Sequence, residues 1–187
     1  MSLIQRNAPW TAALSLIFLV AACSSSGDDG DALDLTDYAY PVQHIEEIDE
    51  RDHFPTGKTY DGYNSDPPTS GPHADTWAPT GVSDLAVPKE VAVHNMEHAG
   101  VVVWYNCNAD PALDTDACVT LRNQLSQVVL REVADGNEVV MTPYAAMDSR
   151  IALTSWGYLD TFDEFEEARV RTFINTFECN FDPENFC

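Results

Sequence analysis

The sequence predicts a single α+β domain, a mixed or antiparallel sheet with two helices and a long loop-rich N-terminal segment. Three observations predict it. Short β-branched and aromatic runs recur after residue 90 and read as strands. Two stretches carry apolar residues at helical spacing. Residues 38–90 are crowded with turn signals. The order of the later elements is strand, strand, helix, strand, strand, helix, which places one sheet against helices lying mainly on one side.

Residues 1–22 read as a signal peptide. Arg6 precedes an almost entirely apolar run from Trp10 to Val20, and the small residues Ala21 and Ala22 follow. The run is too short for a stable transmembrane helix. Cys23 directly after the small pair resembles the lipidated first residue of a bacterial lipoprotein. The resemblance implies an exported chain anchored to a membrane through lipid. Ser24 beside it implies the periplasmic face of the outer membrane in a cell that has one. Residues 23–37 then form a tether and spacer: Ser24-Ser25-Ser26-Gly27 is flexible, and Asp28, Asp29, Asp31, Asp34 and Asp37 keep it solvated. Residues 38–187 are left for one domain, long enough to bury a core.

Charge narrows the partners. The formal net charge is −22, with 31 acids against 9 Lys and Arg. Such a surface repels nucleic acid and anionic lipid and concentrates cations. Four cysteines remain beyond Cys23: Cys107, Cys118, Cys179 and Cys187. An even number in an exported chain predicts two disulfides. Three pairings are possible, and proximity favours Cys107–Cys118 with Cys179–Cys187.

The elements follow in order. Between residues 38 and 90 the signals include Pro55-Thr56-Gly57, Asp66-Pro67-Pro68 and Ser70-Gly71-Pro72; the aromatics Tyr60, Tyr63 and Trp77 make this ordered loop. Val91-Ala92-Val93 reads as a short strand and Val101–Tyr105 as a buried one. Leu121, Leu125, Val128, Val129 and Val133 fall on one helical face, with Asp116 or a near neighbour as cap and Asp135-Gly136-Asn137 as the stop. Glu138–Thr142 and Ile151–Trp156 read as strands. Thr161-Phe162-Asp163-Glu164 matches a capping box opening a last helix, with Phe162, Phe165, Phe173, Ile174 and Phe177 as its buried face.

Candidate chemistry sits in His94-Asn95-Met96-Glu97-His98. Imidazoles four apart share one face of a helical turn, or meet in a tight loop, and can offer two nitrogens to one cation. His73, at the tip of the proline-stiffened turn Pro67-Pro68-Thr69-Ser70-Gly71-Pro72, supplies a third, and His53 a fourth. His73, His94 and His98 are expected to converge, with Met96 or His53 as a further ligand; His44 reads as a surface residue. Met96 adds a soft thioether and Glu97 a hard carboxylate; sulfur with imidazole suits copper, carboxylate with imidazole suits zinc or iron, and copper is the expected ion with zinc the next. The expected role is a metal chaperone, buffer or sensor. The alternative is a non-catalytic structural or interaction module of the cell envelope, whose histidines only tie loops by hydrogen bonds. A third reading is a zinc-dependent hydrolase, from the letters His94-x-x-Glu97-His98, but that motif needs a long helix and Gly100 closes this segment quickly. No Gly-x-Ser-x-Gly turn and no glycine-rich phosphate loop occurs. Convergence of the donors separates the first reading from the second.

Linked motifs run through the chain: Asp52-His53, then Pro67–His73, then Val91-x-Val93-His94-Asn95-x-Glu97-His98-x-Gly100-Val101-Val102, then Tyr105-Asn106-Cys107, then Pro143-Tyr144 and Ile151–Gly157. Together they resemble a family of exported bacterial domains catalogued as domain of unknown function 3105. The resemblance implies no activity. It makes His53, His73, His94, Glu97 and His98 motif positions, and it implies glycine as the usual residue where this chain has Ala99 and alanine where it has Ser155.

Overall fold

The structure, a computed structural model, describes residues 33–187. The signal peptide, Cys23 and most of the spacer lie outside the described residues. The chain runs β1 (Gln43–His44), β2 (His53–Phe54), β3 (His73–Ala74), β4 (Gly81–Val82), α1 (Lys89–Glu97), β5 (Val101–Tyr105), α2 (Thr115–Ala134), β6 (Val139–Pro143), β7 (Ile151–Ser155), β8 (Tyr158–Phe162) and α3 (Glu167–Phe177). Six strands form one sheet in the order β1-β8-β7-β5-β6-β4, and β2 pairs with β3 apart from it. β5, β6 and β4 are parallel; β7, β8 and β1 continue antiparallel. This is the expected α+β architecture with a mixed sheet. Among the described residues no helix is long and apolar enough to cross a membrane.

β5 is buried along its whole length because both faces of the sheet are covered. Alternation along the strand sends Val102 and Trp104 to one face, where they pack with Ala92, Val93 and Met96 of α1. Tyr105 points the other way, under the Arg122 guanidinium of α2. Ser155 of β7 donates to the Phe177 carbonyl at the end of α3, 3.1 Å away. The two expected helices therefore share one side, and α1 lies opposite.

α1 corrects the reading of Val91-Ala92-Val93 as a strand. Pro88 caps the helix, and its carbonyl accepts from both Val91 and Ala92. Residues 90–97 are all buried. A helix covered on every side shows no apolar stripe, so three β-branched and small residues in a row look like strand. Its buried polar groups are satisfied: Glu90 accepts from the Tyr60 amide, and Asn95 exchanges two hydrogen bonds with the Ala78 backbone. The helix ends in a Schellman motif. The Ala99 amide donates to Met96 and the Gly100 amide to Asn95. Ala99 has φ 67°, the left-handed conformation that glycine takes without penalty.

α2 is capped by Asp114, whose Oδ1 accepts from the Ala117 amide at 2.8 Å, two residues before Asp116. Disulfides join Cys107 to Cys118 and Cys179 to Cys187. The expected capping box at 161–164 does not form. Ser155 and Tyr158 face each other across a two-residue link, Trp156-Gly157, with φ 73° at Gly157. That turn returns the chain as β8, so Thr161 and Phe162 belong to a strand. α3 starts later, and Val170, Phe173, Ile174 and Phe177 form its buried face; Phe162 and Phe165 are not on it.

Candidate metal centre

Three pieces of chain build the site. β2 and β3 pair in parallel, and their register sets His53 opposite His73. The turn before His73 is buried from Pro67 onward, as a proline-stiffened segment without a core of its own requires. α1 brings His94 and Glu97 on one face, three residues apart, with His98 as its C-cap.

The backbone fixes two of the rings. His73 Nδ1 lies 2.8 Å from the Gly71 carbonyl oxygen, and His94 Nδ1 lies 2.6 Å from that of Ala74. A carbonyl oxygen only accepts, so each Nδ1 carries the proton. In the neutral ring Nε2 is then a lone pair, the arrangement in which a carbonyl orients a metal-binding histidine. His73 Nε2 sits 2.8 Å from Glu97 Oε2 and 3.1 Å from His53 Nε2, and His53 Nε2 sits 3.3 Å from the same oxygen. His73 and His94 rings are 5.0 Å apart, and one ligand atom each from His53, His73, His94 and Glu97 falls within 4.8 Å of the others. His73, His94 and Glu97 are buried, and His53 is the exposed member. This cluster can hold a metal ion.

Electrostatics suit a cation. Burial pushes the His94 imidazole below its ordinary range, more than the Ala74 carbonyl pulls it up, and His98, His73 and His53 push it further down. The shift favours the neutral form, the one a ligand needs. Burial alone would push the Glu97 carboxyl up. The hydrogen bond shared with His73 and the imidazoles gathered around the carboxylate outweigh it and hold Glu97 below the usual carboxylate range.

Of the residues expected from sequence, His53, His73 and His94 meet at one place. His98 joins through His94, with their Nε2 atoms 3.0 Å apart, and lies 3.0 Å from Glu184 on its other side. Met96 is not with them. Two residues along a helix is more than half a turn from His94, and Met96 packs fully buried against the core with Trp104 and Trp156. Glu97, absent from the expected ligand set, is central; reading 94–98 as helix would have put it one turn from His94. Glu184 was not anticipated, since a tail residue carries no local signal of what it will touch. His44 is exposed on β1, beside the Tyr158 ring.

Fold and site together define an α+β domain with a histidine–carboxylate cluster able to hold a metal. The chain belongs to the family described as proteins of unknown function, DUF3105, whose model matches residues 56–186. The match starts just after His53 and includes the other residues of the cluster. No curated protein and no solved structure matches.

Proposed function

We propose that this is an exported, lipid-anchored domain that binds one divalent transition metal through His53, His73, His94 and Glu97 and serves as a metal buffer or carrier of the cell envelope. One observation carries the reading. His73 has committed its Nδ1 proton to Gly71, yet its Nε2 faces a carboxylate oxygen at 2.8 Å and another imidazole nitrogen at 3.1 Å. Acceptors so placed repel unless a cation lies among them, either a proton or a metal ion. Their spacings of 2.8, 3.1 and 3.3 Å match the roughly 2.8–3.4 Å between neighbouring donors on a four- to six-coordinate ion with bonds of about 2.0–2.1 Å.

The donors are imidazole and carboxylate, a set that suits zinc. The sulfur on which copper preference rested, Met96, faces the core, so zinc(II) moves ahead and copper(II) follows as an imidazole-binding ion. The acidic surface, −22 overall, raises the local cation concentration. A lipid at Cys23 and an acidic spacer would tether such a domain to a membrane.

The test is elemental analysis of protein purified from its native compartment, beside a His73→Ala/His94→Ala variant. Wild type should carry about one equivalent of zinc or copper and the variant essentially none. A wild-type protein that stays metal-free even after incubation with zinc(II) and copper(II) overturns the proposal.

A further inference from the structure

The last turn of chain packs against His98, beside the metal centre. Cys179 and Cys187 are bridged at the end of α3, and the loop they close is shaped from within by Asp182. Its Oδ1 accepts from the Phe186 amide at 2.7 Å and its Oδ2 from the Cys187 amide at 2.8 Å. The Cys179 amide donates to the Ala99 carbonyl, which ties the loop's base to the end of α1.

Three side chains of this loop pack on residues that adjoin the site. Phe186 stacks on the His98 ring with centroids 3.9 Å apart. Glu184 Oε2 lies 3.0 Å from His98 Nε2, the same nitrogen that faces His94. Phe181 stacks on Trp156 at 4.6 Å, and Trp156 stands edge-on to His73. The loop itself is exposed, with Phe186 52% accessible, whereas His98, which it touches, is 6% accessible; of the donors, His73 and His94 are buried and His53 is exposed. Stacking and one half-exposed imidazole–carboxylate contact open readily, while the disulfide keeps the loop from moving far.

We propose that loop 179–187 is a lid on the metal centre, latched by Glu184 on His98, and that it sets how fast a divalent transition cation enters and leaves. This rests on the metal-binding reading above. The cation is held by the residues below the lid; Glu184 is a positioning residue that acts through His98. A gate slows capture and release together and leaves the equilibrium nearly unchanged. A ligand would instead change affinity, mostly through release.

The experiment uses the full chain and zinc(II). Capture is followed by stopped flow and release by transfer to a chromophoric chelator, for wild type, Glu184→Gln and Cys179→Ser/Cys187→Ser. Both variants should raise capture and release rates by about fivefold or more, with Kd changed by less than about threefold. Glu184 is exposed and its replacement isosteric, so Glu184→Gln decides the matter alone if the cysteine variant fails to fold. Unchanged rates in a wild type and variant that both bind zinc overturn the lid and leave the metal site standing. Faster release with an equally weakened Kd also overturns it, because Glu184 is then a ligand. A wild type that takes up no zinc overturns the metal-binding reading and the lid with it.

Discussion

His73 Nε2 and Glu97 Oε2 meet at 2.8 Å from opposite sides of an interface between the β2–β3 ladder and α1. The histidine arrives on a two-residue strand and the acid on a helix. Neither element is large, and α1 is covered by β5 on one side and by the segment that carries His73 on another. Site and local fold therefore depend on each other.

Glu97→Gln keeps the shape of the side chain and removes its charge. Zinc affinity, read by competition with a chelator, should fall by at least about tenfold, since a carboxylate at the centre of the donor set becomes a weak neutral amide. An unchanged affinity would place the ion elsewhere.

Acid should destabilise the metal-free protein in two stages. The folded His94 lies below its ordinary value of 6.5, so the unfolded chain takes up that proton first as pH falls past 6.5, and stability is lost from there down. The folded Glu97 lies below its ordinary 4.5, so its contribution is present above that value and disappears as pH falls through the lowered one. Thermal melts of chelator-treated protein should show Tm falling from pH 7.5 to 5.5 and again toward pH 4. A His94→Gln variant should lose the first step. A Tm that rises on acidification contradicts both assignments.

Gly100→Ala should be costly although glycine there has no unusual backbone angle. A Cβ at that position would come within 2.7 Å of the Asn95 carbonyl oxygen and 3.0 Å of the Glu138 carbonyl oxygen. Both are main chain and cannot swing aside, so a loss of about 1–3 kcal/mol in denaturant unfolding is expected. The damage falls where α1 hands over to β5, so zinc binding should weaken in the same variant.

Cys23→Ser should release the protein from membrane fractions into the soluble exported pool. Wild type should stay with membranes and partition into detergent. A serine variant that remains membrane-bound would mean that lipid on this residue is not the anchor.

The sheet strands were readable because β5, β6 and β7 are continuous apolar runs, the pattern of strands covered on both faces. α2 was readable because only one side of it is buried. α1 was not, because it is covered all round, and its polar residues find partners in distant loops that no local pattern reveals. β8 was hidden by a four-letter match to a helix start; Gly157 in the tight link before it was the competing signal. In the site, the histidines were visible as letters, and the resemblance to a family gathered them. The place of Glu97 and the exclusion of Met96 both follow from the helical phase of α1, so one misread element produced both errors. Convergence of the donors depends on the parallel register of His53 with His73, which sequence does not encode locally.

Trp77 stands at the mouth of the centre, its ring 4.7 Å from that of His98 and 5.3 Å from that of His94, and it is 56% accessible. Trp104 and Trp156 are sealed in the core. The domain thus contains two optically distinct kinds of indole, and the water-facing one emits at longer wavelength. A paramagnetic ion such as copper(II) held here would darken Trp77 and also the buried Trp156, whose ring lies 6.3 Å from that of His73, and leave Trp104 brighter. Occupancy could then be followed from the intrinsic light of the untagged chain.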